Sequence, residues 1–242
     1  MKRFHLSIII ILVYYFPFGS FTASSANRVD VTIYPEISEP FTAIKIGGEF
    51  RVIYTEASDS LKIIANDKVI QNIECVVEDG MLVVRYREGK SVKAILGGRS
   101  PIVYIPADPD INKIFLYGTT RMECTVPIVN ENLSFEMSGA ARVIGEIRST
   151  RVSIRCEGAV NATLTGSSDS VDIRIDGASR VAMGEGFESR IGNIDINGAG
   201  IVRICCSEKI AGEISGASVV KYIGKPEVSI MTHGLASVSA TD

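Results

Sequence analysis

The sequence predicts an all-β protein whose C-terminal half is a parallel β-helix, a solenoid of about seven coils. Three observations carry this reading: a recurring glycine-centred theme, apolar columns that keep register with it, and a long stretch without proline. The theme is a polar residue, Gly and two small residues. It occurs as Tyr117-Gly-Thr-Thr, Ser138-Gly-Ala-Ala, Glu157-Gly-Ala-Val, Asp176-Gly-Ala-Ser, Asn197-Gly-Ala-Gly, Ser215-Gly-Ala-Ser and His233-Gly-Leu-Ala. Its glycines, Gly118, Gly139, Gly158, Gly177, Gly198, Gly216 and Gly234, are spaced by 21, 19, 19, 21, 18 and 18 residues. A sustained period of this length marks stacked repeat units, each of which needs its neighbours to bury an apolar face.

Each element of the coil follows from the columns. Four residues before the glycine stand Ile114, Phe135, Ile154, Ile173, Ile194, Gly212 and Ile230, and two before it Leu116, Met137, Cys156, Ile175, Ile196, Ile214 and Thr232. Polar residues fill most of the positions between, so the alternation has a period of two and predicts a strand with one buried face. Four residues after the glycine come Met122, Val143, Ala162, Val181, Val202, Val220 and Val238, the inward positions of a second strand. Gly suits the corner between the strands because it accepts backbone angles that a Cβ disfavours. No proline lies between Pro127 and Pro226. That agrees with unbroken pairing, since proline cannot donate to a ladder.

Residues 27–110 read differently. Phe50–Tyr54, Leu61–Ile64, Ile73–Val77 and Met81–Tyr86 are strand-like, and Asp79-Gly80 between two apolar runs is a hairpin signal. Gly97-Gly98 and the stretch Pro101–Pro109 punctuate loops. This region is expected to form an antiparallel β cap over the first coil, with residues 111–242 as the β-helix and 27–242 as one continuous domain. Residues 1–26 are expected to be a signal peptide: Lys2 and Arg3, an apolar run from Leu6 to Phe16, then Ala23-Ser-Ser-Ala26 before a cut after Ala26. The run is shorter than the roughly 20 residues of a bilayer span. The mature chain is therefore expected to be exported, periplasmic or at the cell surface, without a stable membrane anchor.

Composition removes several function classes. The formal charge is −3 and becomes −5 when Lys2 and Arg3 leave, which argues against nucleic-acid binding. After residues 1–26 only His233 remains as histidine, so a multi-His zinc site is ruled out and His-dependent nucleophilic catalysis has little support. The five cysteines include no C-x-x-C. Cys156 falls in a core column, and Cys205 and Cys206 point to opposite sides of a strand. No phosphate-binding glycine motif occurs. No metal and no cofactor are expected.

Two surface features are candidate sites. Three residues after the glycine stand Arg121, Arg142, Asn161, Arg180, Ile201, Val219 and Ser237. Stacked coils would align Arg121, Arg142 and Arg180 along one edge, where their planar forks suit an anionic glycan or envelope polymer. The competing reading is that they cover apolar surface and pair with Glu123, Glu146 or Asp169. The second feature is a charged face of Arg155, Glu157, Arg174, Asp176 and Asp195. Glu157 and Asp176 would lie one rung apart, near the roughly 5 Å carboxylate separation of a retaining glycosidase. With few aromatics nearby, no sugar-stacking platform is expected there, and a solvated face of offsetting charges accounts for the pattern.

The motifs also carry a family resemblance. Phe41-Thr-Ala-Ile-Lys-Ile46, the strand ending at Glu56-Ala-Ser58, and Val77-Glu-Asp-Gly-Met-Leu-Val-Val84 resemble the opening of the bacterial family called putative auto-transporter adhesin, head GIN domain. The serial Ser-Gly-Ala turns and Tyr222-Ile-Gly-Lys-Pro226 resemble its closing half. The resemblance runs from about Pro40 to Ala240. It implies a right-handed parallel β-helix and an exported protein of Bacteroidetes-type bacteria, with no catalytic residues to carry over. The chain departs from many relatives in having no cysteine before Cys75, so a lipoprotein tether is not expected. The expected function is a non-enzymatic binding or adhesion module of the envelope. The alternatives are a carbohydrate-active lyase or hydrolase using Glu157, Asp176 and Asp195, or a purely structural or signalling envelope protein. Oligomeric state is not specified by the sequence.

Overall fold

The computed structural model describes residues 29–88 and 99–241; the expected signal peptide and Gly97-Gly98 lie outside them. In chain order the elements are β1 (Asp30–Ile33), β2 (Ala43–Gly48), β3 (Arg51–Thr55), β4 (Lys62–Asn66), the single turn α1 (Asp67–Ile70), β5 (Ile73–Glu78), β6 (Met81–Tyr86), β7 (Ile102–Pro106), β8 (Lys113–Gly118) and β9 (Arg121–Cys124). Then follow β10 (Ile128–Gly139), β11 (Arg142–Gly158), β12 (Asn161–Gly177), β13 (Arg180–Met183), β14 (Phe187–Gly198), β15 (Ile201–Gly216), β16 (Val219–Ile223), β17 (Glu227–Thr232) and β18 (Ser237–Ala240).

The predicted columns are the rungs of a β-solenoid. On the face before the corner, β8, β10, β11, β12, β14, β15 and β17 pair in parallel, each inward residue opposite its counterpart in the next coil. Ile154 sits opposite Ile173, and Cys156 opposite Ile175. On the face after the corner, β9, β11, β12, β13, β15, β16 and β18 do the same. The core is the space these faces enclose, filled by buried Phe135, Ile173, Ile194, Val143 and Val202 among others.

All seven repeat glycines have positive φ. Each coil approaches the next so closely that a Cβ on Gly139 would lie 2.8 Å from the Gly118 carbonyl oxygen. That same carbonyl accepts the Ala140 N–H at 2.8 Å, and the pattern repeats up the stack. The corner therefore needs glycine for two reasons, the dihedral and the contact. Hydroxyls two residues beyond the glycine complete it. Ser179 Oγ donates to the Gly158 carbonyl at 2.9 Å and accepts the Val160 N–H at 3.1 Å.

The N-terminal half is only partly the antiparallel cap expected from its sequence. β1, β4 and β5 are antiparallel to β4, β7 and β6 respectively. The β5–β6 hairpin turns on Asp79 and Gly80, both with positive φ, as a two-residue turn requires. By contrast, β2, β3, β6 and β7 join the solenoid in parallel. Their order is not sequential. β2 lies between β6 and β8, and β3 between β7 and β9, so the chain goes outward to β6–β7 and then crosses back to begin β8. Gly48 stands in register with Gly118, with Ile44, Ile46 and Val52 in the core columns. The 70-residue gap to Gly118 hides this coil from a search for an 18–21-residue period.

All five cysteines are free. Cys156 is buried in its ladder and burial pushes its thiol up to about 12, while Cys205 is half-exposed and Cys206 buried, on opposite sides of β15 as expected.

Candidate functional site

The arginine edge forms as the sequence reading places it, with one addition. Arg51, Arg121 and Arg142 are in register on three consecutive rungs, followed by Asn161 and then Arg180. All are exposed. Arg51 belongs to the hidden coil and was missed for that reason. Parallel rungs lie about 4.8 Å apart, so Arg121 and Arg142 are neighbours and Arg180 is two rungs beyond Arg142. Arg51, Arg121 and Arg142 border a groove of about 490 Å3, which Arg99 and Phe50 also line. Arg99 faces Asp30 at 3.7 Å, and Glu49, the groove's one carboxylate among the described residues, accepts a hydrogen bond from Ser100 at 3.0 Å.

The pairing expected under the competing reading does not form. Glu123 is taken by Arg51 at 3.2 Å and Glu146 by Arg148 at 2.7 Å. Asp169 lies at another corner, in a groove with Arg148 and Arg190. Among the described residues, Arg121, Arg142 and Arg180 have no carboxylate within ion-pair distance. Like charges on facing strand positions repel. Two stacked guanidinium groups, unpaired among the described residues, thus make a positive strip on an acidic protein.

The second candidate face also forms in register. Arg155 lies opposite Arg174, Glu157 opposite Asp176, and Arg174 opposite Asp195. Arg174 and Asp195 form a solvent-exposed ion pair at 3.7 Å, worth well under 1 kcal/mol at this exposure. Further along, Glu213 reaches His233 at 3.3 Å. Glu157 and Asp176 are exposed on the open sheet, Glu157 at the edge of one groove and Asp176 at the edge of another. The geometry matches a solvated face of offsetting charges better than a pair of catalytic carboxylates, which needs two distinct environments.

A more spacious groove, about 870 Å3, runs along a different corner. Its spine is a polar ladder, Asn130, Ser149, Ser168 and Ser189, in register over four coils. The hydroxyls serve the backbone: Ser168 Oγ lies 2.8 Å from the Ser170 carbonyl and 3.1 Å from that of Thr150. This ladder repeats at the same 19 to 21-residue period and was legible in the sequence. It escaped notice because a polar column breaks the apolar alternation used to find the strands.

The architecture defines a class: a β-solenoid with an antiparallel-capped N-terminal end whose distinctive surface features are rows of side chains along the stack. The chain belongs to the family described as putative auto-transporter adhesin, head GIN domain, whose model matches residues 40–226. A putative adhesin from Bacteroides fragilis superposes with a TM-score of 0.78 at 18% identity, over 88% of this chain and 97% of that one. A putative lipid binding protein from Parabacteroides distasonis gives 0.67 at 14% identity, over 89% and 98%. A putative adhesin from Parabacteroides merdae gives 0.60 at 17%, over 88% and 96%. At these identities the solved structures speak to the fold alone. Comparison with curated proteins finds no match.

Proposed function

We propose that this protein is a non-enzymatic, exported binding module of the bacterial envelope, and that its arginine edge holds an anionic glycan or another anionic envelope polymer. The observation that carries the reading is the row Arg121, Arg142 and Arg180, aligned on one edge and left without carboxylate partners among the described residues. Exposed arginines on neighbouring rungs repel one another, and a bound polyanion removes that cost. Guanidinium forks suit carboxylates and sulfates, and a row of them suits a repeating ligand. The family's description as an adhesin supports binding over chemistry and an extracytoplasmic location. The Leu6–Phe16 run and Ala23–Ala26 support export through a cleaved signal.

The test is the triple change Arg121→Ser, Arg142→Ser and Arg180→Ser, with binding to acidic polysaccharides measured at low and high salt. Binding should weaken with salt and be lost in the variant. Binding that survives the triple change, or ignores salt, eliminates this edge as the site. A glycosidase or uronate-lyase activity lost on Glu157→Gln would overturn the non-enzymatic reading instead.

A further inference from the structure

The outer face of β8 carries two aromatic rings that the core does not use. Phe115 and Tyr117 both point away from the enclosed columns, and each is half-exposed. Their counterparts in the next four coils are polar: Glu136, Arg155, Arg174 and Asp195 beside Phe115, and Ser138, Glu157, Asp176 and Asn197 beside Tyr117. A solvent-facing sheet does not require aromatics here. Their presence at one rung is a departure from the repeat.

The neighbouring coil is adapted to the Tyr117 ring. Gly47 faces Tyr117 across the β2–β8 pairing, and a Cβ on Gly47 would overlap the ring itself. Gly47 is not among the positive-φ glycines, so its backbone does not demand glycine. The missing side chain serves to let the ring lie flat on the strand. Lys45 Nζ sits 5.7 Å from the ring centroid. Around the rings runs an open groove of about 410 Å3, edged by Lys45, Glu136, Arg155 and Glu157.

We infer that Tyr117, with Phe115 beside it, is the stacking platform of a sugar subsite that takes one pyranose of a neutral glycan. A pyranose has an apolar C–H face and a rim of hydroxyls that both donate and accept. The ring meets the face. The carboxylates of Glu136 and Glu157 accept from the rim, and Lys45 and Arg155 donate to it. Two acids and two bases leave the groove without net charge, so it has no preference for an ionic ligand. Aromatic surface with a few convergent polar groups is the usual make-up of a small-molecule site. Because Gly47 holds the ring flat beforehand, little conformational freedom is lost on binding. Aromatics are scarce in this sequence, but register puts Glu136 on the rung beside Phe115 and Arg155 and Glu157 one rung further, along the same groove.

This subsite lies apart from the arginine edge, and its test is independent of it. Full-length mature protein carrying 13C-labelled tyrosine is titrated with cellohexaose, xylohexaose and chitohexaose, and the Tyr117 ring resonance is assigned from Tyr117→Phe. At least one of the three sugars should shift it saturably. Tyr117→Ala should weaken that sugar's binding about tenfold, the upper range of an aromatic stacking contact, and Tyr117→Phe should restore it. Gly47→Ala, which keeps the ring but lifts it off the strand, should weaken binding as Tyr117→Ala does. The triple arginine variant should bind the sugar as the parent does. No shift with any of the three sugars, or equal binding by Tyr117→Ala with an unchanged circular dichroism spectrum, overturns the inference. A Tyr117 shift that follows protein concentration without sugar also overturns it, by marking the face as a self-contact.

Discussion

Adding one methyl group at Gly158 isolates what the corner glycine contributes. Gly158 has φ +102, and an added Cβ would lie 2.9 Å from the Gly139 carbonyl oxygen, 3.3 Å from its nitrogen and 3.5 Å from its Cα. The dihedral alone costs an L-residue about 1–2 kcal/mol. The contact adds more, because the atoms met are backbone and cannot rotate aside. The Gly139 carbonyl is also fixed by the Ala159 N–H at 2.8 Å. Forced overpacking of this kind costs about 1–3 kcal/mol. Gly158→Ala should therefore cost about 2–5 kcal/mol, a large part of the 5–15 kcal/mol that holds a typical domain folded. Gly80 supplies the control: it has φ +72 and nothing within 4 Å of the added Cβ. Gly80→Ala should show only the dihedral part, about 1–2 kcal/mol. Urea unfolding followed by far-ultraviolet circular dichroism measures both, with unchanged m-values as the condition for comparison. Gly158→Val should be worse than Ala, because the branched side chain meets the same backbone. Equal losses for Gly158→Ala and Gly80→Ala would refute the claim that coil-to-coil contact, beyond the turn dihedral, selects glycine at the corner.

Other expectations follow from the same ladders. Ile175, 1% exposed between Cys156 and Ile196, should tolerate Val at a cost of about 1 kcal/mol. Asp at that position should cost several, and thermal melting or loss of soluble protein distinguishes the two. Ser179→Ala leaves the Val160 N–H without its Oγ acceptor and should lower stability by about 1–3 kcal/mol in urea, whereas removing an exposed hydroxyl such as that of Ser153 should change it by less than about 0.5 kcal/mol. Burial raises the Cys156 thiol to about 12, while in the unfolded chain it ionises near 8.5. The unfolded state thus holds fewer protons above that pH, and stability should fall as pH rises, by about 1 kcal/mol between pH 8.5 and 9.5 for this group. Burial also raises Tyr54 and Tyr86, which adds the same sign at higher pH. A urea midpoint independent of pH over this range would contradict the buried, neutral thiol, as would rapid labelling of Cys156 in the folded protein.

What could be read from the sequence was set by how a solenoid maps chain distance onto space. Where each coil touches only the coils before and after it, one period in sequence is one rung in the structure. Gly118 to Gly234, the inward columns and the alignment of Arg121 with Arg142 therefore needed no coordinates. The Asp79-Gly80 hairpin was legible for a related reason, since its pairing is entirely local. The same one-dimensional logic fails at the N-terminal end. β2 pairs with β8 across a crossover, so Gly48, Arg51 and Gly47 find their neighbours some 70 residues away, at no repeating interval. Only tertiary pairing decided that Arg51 takes Glu123 and leaves Arg121 and Arg142 without it. Only tertiary pairing laid Tyr117 across Gly47. The alternation of apolar residues determines which side chains go inward, because burying them drives folding. It says nothing about outward side chains. Their partners are chosen by rung order, which long-range pairing sets, and the surface features of this protein follow from that choice.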